Sequence, residues 1–167
     1  MFSVSCFGCD ALVKKFEADN DNYSKIMAQA LADRFVEAFS EYLHRETRTN
    51  SWGYAPDEKL DETDLLKIKY DGIRPAPGYI SQPDHTEKKT MWGAINAGEV
   101  AGIKLSESLS MMPAALVSAL VFAHPESQYF AVGKIGKDQV EIYAQRKKYD
   151  LSPMERWLSP MLNYDRE

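Results

Sequence analysis

Cysteine is scarce in this chain of 167 residues, with Cys6 and Cys9 the only two. A single close pair cannot staple a small fold, so a disulfide scaffold is excluded. Structural zinc needs four ligands, and His44, His85 and His124 lie far from the pair with no ligand spacing among them. A thioredoxin-like dithiol wants a strand before it and a helix after it, which this N-terminus does not clearly provide. Two reduced, ordinary thiols near a chain end are the favoured reading. Long apolar runs are also missing: nothing approaches the ~20 residues of a membrane span, and the stretch 111–123 is too short. Basic blocks are absent too, and a net charge of -5 argues against a nucleic-acid partner. The opening residues lack a basic stretch followed by a long apolar core, so no secretory signal is read and the cytoplasm is the default. No internal repeat, low-complexity tract or long linker interrupts the chain.

What is present suffices for one domain over residues 1–167, a length that buries about 70% of the unfolded surface. Residues 22–47 place apolar side chains in steps of three and four, from Tyr23, Ile26 and Met27 through Phe35 and Phe39 to Leu43. That spacing predicts one amphipathic helix capped by Asp21 or Asn22. Residues 51–60 read as a loop through Gly53 and Pro56, and a short helix over 61–70 ends at Gly72. A second short helix is expected over 86–95. Residues 103–110, 115–123 and 129–135 read as three strands, and their short connections predict antiparallel neighbours. A helix over 138–148 follows, then a capping box at Ser152-Pro153-Met154-Glu155 opening a last short helix. The order predicts an α+β fold with helices packed on a central antiparallel sheet.

The most distinctive stretch is Gly72-Ile73-Arg74-Pro75-Ala76-Pro77-Gly78-Tyr79, followed by Pro83-Asp84-His85-Thr86-Glu87-Lys88. Proline fixes φ and removes amide donors, so neither a regular helix nor a central strand can cross residues 75–83. A stiff loop carrying a guanidinium, a phenol and an imidazole loses little entropy on gripping a ligand, which marks it as the binding loop. Arg74 suits a carboxylate because its planar fork donates two parallel hydrogen bonds; the bland reading is a surface arginine paired with Asp71. Glu37 sits at one edge of the apolar stripe of the long helix, whereas Glu41 reads as a solvated helical glutamate. His44, near the end of that helix, is placed to favour the helix dipole and nothing more.

These motifs resemble the S-adenosylmethionine-binding signature of the activation domain of cobalamin-dependent methionine synthase. The resemblance rests on Arg74-x-x-x-Gly78-Tyr79 and the Pro83 to Lys88 run. Further matches are Ala18-Asp19-Asn20-Asp21-Asn22-Tyr23, Ala30-Leu31-Ala32-Asp33-Arg34, the 37–44 helix segment, Trp52-Gly53-Tyr54-Ala55-Pro56, His124-Pro125-Glu126-Ser127, Asp138-Gln139-Val140-Glu141 and Glu155-Arg156-Trp157-Leu158. They run collinearly over roughly residues 10–165.

The resemblance implies S-adenosylmethionine contacts at Arg74, Ala76, Gly78, Tyr79, Glu37 and Tyr129, with His85 either facing the corrin of a docked cobalamin domain or bracing its own loop. It implies support for reductive methylation of cob(II)alamin, with cobalamin met only through a partner domain and electrons from a flavodoxin-like donor. No acid, base or catalytic residue is then required, and no metal ligand. An acidic ligand contact of the family lies upstream of the matched region, so a shortened N-terminal side is expected. Cobalamin-binding Asp-x-His-x-x-Gly and zinc-bearing homocysteine modules are lacking, so the chain is not expected to run the 5-methyltetrahydrofolate-homocysteine methyltransferase cycle of methionine biosynthesis alone. The main rival is a fold-retaining interaction or regulatory module that has lost the ligand. A free-standing methyltransferase would need a glycine-rich loop with an acidic residue ~20 positions on, which Gly133-x-x-Gly136 does not provide.

Overall fold

The computed structural model describes residues 1–166. Strand β1 (Phe2–Ser5) leads into α1 (Cys9–Ala18) and the long α2 (Asn22–Glu46), which runs into a π-helical turn at Thr47–Ser51. Then come α3 (Glu62–Leu66), α4 (Glu87–Ile95), α5 (Ala97–Ala101), β2 (Lys104–Leu105), β3 (Met111–Met112), β4 (Leu116–Ala119), α6 (Lys137–Lys147) and α7 (Leu151–Trp157). The fold is α+β, with helices on small antiparallel sheets.

The sheet that positions the site pairs β1 with β4, Phe2 opposite Ala119 and Ser5 opposite Leu116. The expectation of three consecutive paired strands is therefore corrected. β4 turns to the chain's N-terminus rather than to its neighbours in sequence, and β2 pairs with β3 as a separate two-residue ladder. Residues 129–135 form no strand, and Ile135 makes only an isolated bridge to Leu162. Strand β1 escapes sequence reading because a four-residue Phe-Ser-Val-Ser run carries too few alternations to register, and the ten-residue α1 is a further element not expected from the sequence. The last helix starts at Leu151 with Asp150 in the capping position, so Ser152 lies inside it and caps nothing.

Helix α2 is as long as its periodicity predicts, and the Asp21 carboxylate accepts from the Ser24 amide at 3.0 Å to start it. Its inward side is the surprise. Ala32, Val36, Ser40 and His44 are the buried residues, one per turn, and the row continues to Arg48 in the π-helical turn. Small side chains let the helix approach β1 and β4, where Ala32 and Val36 join Val4 and Ala115 in one core cluster. The larger Tyr23, Ile26, Phe35 and Phe39 point outward. A second cluster of Val140, Ala144, Met154, Leu158 and Leu162 ties α6 to α7.

The polar end of the α2 row is held by charge. Arg48 is fully buried, donates to both carboxylate oxygens of Glu58 at 2.5 and 2.8 Å, and lies 4.2 Å over the Tyr70 ring. Removing one partner of such a pair leaves an uncompensated buried charge. Arg48→Ala is expected to destabilise the chain by about 3–5 kcal/mol in urea unfolding. Replacing both partners together, R48M with E58L, recovers most of that loss if the ion pair is the cause.

Candidate functional site

The proline segment folds as an ordered loop, fixed by its backbone to the chain that follows β4. Ile73 and Phe122 exchange amide bonds at 3.0 and 2.9 Å, the Leu120 amide donates to the Pro75 carbonyl at 3.0 Å, and the Val132 amide donates to Ile80. Gly72 makes this possible: its φ is +80°, and a Cβ there would fall 2.3 Å from the Phe122 carbonyl oxygen. Farther on, the Gly78 amide donates to Gln82 at 2.7 Å and closes a tight turn.

The loop's far end is anchored to α6 through one carboxylate. Asp84 is buried and accepts from the Thr86 amide and hydroxyl, from Tyr143 Oη at 2.7 Å and from Lys147 Nζ at 2.5 Å. Burial opposes its ionisation, but the Lys147, Thr86 and Tyr143 hydrogen bonds outweigh it and hold the carboxyl below its ordinary range. His85 packs on Gly78, where a Cβ would meet the ring at 2.3 Å, and its Nδ1 lies 3.1 Å from Lys88 Nζ. Burial and the Lys88 charge lower the His85 pKa, against the smaller pull of Asp84. The imidazole thus braces the turn that carries Tyr79.

Arg74 is the best-held side chain of the loop. Nη2 donates to Glu41 at 2.5 Å, and Nη1 donates to Tyr70 Oη at 2.9 Å and to His44 Nδ1 at 3.0 Å. Its backbone amide donates to Tyr129 Oη at 2.8 Å. The surface pairing with Asp71 is corrected: the partner is Glu41, across 33 residues, which is not the solvated helical glutamate its position suggests. His44 is likewise no mere dipole group. It is fully buried, edge-on to Tyr70 at 4.9 Å between centroids, with Nε2 3.4 Å from Tyr54 Oη. Because arginine has only donors, Nδ1 must accept and the ring is neutral. Burial first, then the Arg48 and Arg74 charges, push the His44 pKa down to about 3.

Between α2, β4 and the loop opens a cleft of about 480 Å³, within the range of small-ligand sites. Glu37, Arg74, Ala76, Tyr79 and Tyr129 all line it, joined by Ser40, Val117 and Phe130. Five of the six residues expected at the site therefore share one wall-to-wall cavity, and the sixth, Gly78, sits one residue from its rim and shapes the turn. Glu37 is exposed and pairs with Arg34 on its own helix. Sequence reasoning missed Glu41, His44 and Tyr70, which hold Arg74 from behind. Their signal was the row Ser40, His44, Arg48, polar side chains at every turn of a helix that reads as apolar. Among the described residues no group of three or more His, Cys, Asp or Glu side chains could hold a metal.

What the cleft can do chemically follows from its donors. Of the five N–H groups of Arg74, three serve Glu41, His44 and Tyr70; Nε–H and one Nη2–H have no partner among the described residues. These two N–H groups remain available to donate to a carboxylate. Two phenols and a phenyl ring offer stacking surface, and the cleft has no nucleophile paired with a base. The arrangement is suited to binding and orienting a ligand rather than to acid–base chemistry.

A family profile described as "Vitamin B12 dependent methionine synthase, activation domain" matches residues 1–148. Among solved structures, the chain is similar to one titled "Crystal Structure of the MetH Reactivation Domain bound to AdoHcy", with 52% sequence identity and a TM-score of 0.91. The alignment covers 94% of this chain and 48% of that one, so the chain spans about half the length of the solved relative.

The His44 environment predicts a pH dependence. Its folded pKa of about 3 lies below the ordinary value of 6.5, so between these values the unfolded chain binds the extra proton and stability falls as pH drops. Unfolding free energy from urea titrations is expected to lose ~3 kcal/mol between pH 7 and pH 4 from this group alone. In His44→Gln that portion of the slope is absent.

Proposed function

The chain belongs to the family of activation domains of vitamin B12-dependent methionine synthase, and from this premise we propose that it binds S-adenosylmethionine in the cleft between α2 and the proline loop. The observation that carries the reading is the convergence of Glu37, Arg74, Ala76, Tyr79 and Tyr129 on one cavity of ligand size. The solved relative is bound to AdoHcy, which differs from S-adenosylmethionine only by the transferred methyl.

In this reading the free edge of the Arg74 fork grips the amino-acid carboxylate, and Glu41, His44 and Tyr70 keep the fork from turning away. The backbone at Ala76 meets the adenine edge, where a larger side chain would interfere. Gly78 gives the turn its positive φ of +99°, which delivers Tyr79 to the ligand. Glu37 places a carboxylate where it favours the sulfonium or ammonium charge, and Tyr129 closes the opposite wall while fixing the Arg74 backbone.

A sulfonium methyl is already activated, so the chain's contribution is to bind and aim it. Cobalamin, carried by a partner domain, supplies the metal nucleophile when the two meet, and reductive methylation of its cob(II) form is the reaction supported. We assign the 167 residues to one activation-type unit working in the cytoplasm beside a cobalamin-binding domain and a flavodoxin-like electron donor. His85, next to the turn that carries Tyr79, is the proposed contact with the corrin side of that partner.

One observation favours a second reading, a fold-retaining interaction module without ligand: Glu41 already neutralises Arg74. Calorimetric titration separates the two. S-adenosylmethionine is expected to bind the wild-type chain, and Arg74→Ala to weaken binding about ten- to hundredfold, the worth of hydrogen bonds to a charged group. Glu37→Gln, at an exposed position, changes affinity only a few-fold. No heat from the wild type at millimolar ligand supports the second reading.

A further inference from the structure

The Cys6-x-x-Cys9 pair has surroundings that its sequence does not declare. Strand β1 ends at Ser5 and helix α1 begins at Cys9, so the pair spans a strand-to-helix turn. Hydrogen bonds fix that turn at both ends. The Cys6 amide donates to the Ala115 carbonyl at 3.1 Å, and the Cys9 thiol donates to the Ala28 carbonyl at 3.6 Å. Between them Gly8 takes a φ of +90°, which a residue without Cβ adopts freely, and a Cβ built there meets nothing within 4 Å. The middle of the turn therefore stands open.

Both cysteines are unpaired and half-buried, and both pack against the core cluster of Val4, Ala32, Val36 and Ala115. Both also line one cavity of about 560 Å³, where Met27, the neighbour of Ala28 in the chain, adds a thioether. The only two thiols of the chain thus meet a third sulfur in one place.

Two familiar uses of such a pair do not fit. A dithiol that exchanges disulfides needs an attacking sulfur with a lowered pKa. Here burial first, then the charges of Asp10, Cys6 and Asp33, raise the Cys9 pKa. Structural zinc takes four ligands, and among the described residues no third His, Cys, Asp or Glu joins the pair to hold a metal. Soft sulfur donors too few for zinc suit Cu(I), a d¹⁰ ion that is satisfied by two thiolates in a near-linear arrangement.

We propose that Cys6 and Cys9 form a binding site for a soft monovalent cation, Cu(I), held between their two sulfurs. Binding forms two Cu–S bonds and releases the two thiol protons to solvent, and the copper keeps its oxidation state. The cation also offsets the negative charge that Asp10 and Asp33 place around Cys9. The site is independent of the ligand reading, because neither cysteine lines the cleft that holds Arg74.

The test is an anaerobic titration of the reduced 167-residue chain with Cu(I) bound to bicinchoninate, whose purple complex fades as the protein takes the metal. The wild type is expected to withdraw one ion per chain and to gain a thiolate-to-copper absorption band in the ultraviolet, with no change in light scattering. Cys6→Ser and Cys9→Ser, close in shape to the native residue, keep the circular dichroism of the wild type and each lose about a hundredfold in copper affinity. Their affinity for S-adenosylmethionine stays at the wild-type level, which separates this result from that for the cleft. The proposal is overturned if the wild type leaves the copper with the chelator, if either serine variant holds it as tightly as the wild type, if Zn(II) is held as firmly as Cu(I), or if one ion is shared between two chains.

Discussion

One guanidinium organises the cleft. Arg74 projects from a loop that has no regular structure, and a loose loop would leave it free to sample water. It is fixed instead by Glu41 and His44 on α2, by Tyr70 at the loop's approach and by the Tyr129 phenol at its backbone. Those groups belong to three separate stretches of chain, so the position of one charge reports on the packing of all three. The buried Arg48 against the same Tyr70 ring extends the arrangement: two guanidinium groups share one aromatic ring, at 4.2 and 5.7 Å from its centroid, with the neutral His44 imidazole set perpendicular to it. Glu41 and Glu58 supply the compensating charge.

Rigidity at the loop's far end has a different origin. Asp84 gathers four donors and ties the Pro83 to Lys88 segment to α6, while Gly78 lets the His85 ring sit against the turn beneath Tyr79. The loop is thus clamped at both ends by buried polar groups and stiffened between them by proline. Preorganisation of this kind lowers the entropy lost on binding, which suits the proposed task of holding a reactive methyl in line rather than transferring protons.

Sequence carried the parts of this account that depend on local chemistry. The length of α2, the loop over 75–83, the short helix after it and the helix near 138–148 follow from spacing, proline and caps, all of them short-range effects. Arg74, Ala76 and Tyr79 stand together on the stiff loop and were legible there as a binding-loop candidate, whereas Glu37 and Tyr129 were expected only from the family resemblance. Pairings over long separations were not: β1 with β4, or Arg74 with Glu41, depend on tertiary packing that no window of sequence contains. The orientation of α2 failed for a related reason. Periodicity marks the apolar side of a helix, and here the side turned to the sheet is lined by Ala32, Val36, Ser40 and His44, while the larger residues face outward.

The claim at the centre is that Arg74 holds a ligand carboxylate, and a thermodynamic cycle addresses it directly. The affinities of S-adenosylmethionine and its decarboxylated analogue are measured with the wild type and with Arg74→Ala. The account predicts that loss of the carboxylate weakens binding to the wild type about ten- to hundredfold and leaves binding to Arg74→Ala nearly unchanged. Equal discrimination between the two compounds by both proteins would contradict it.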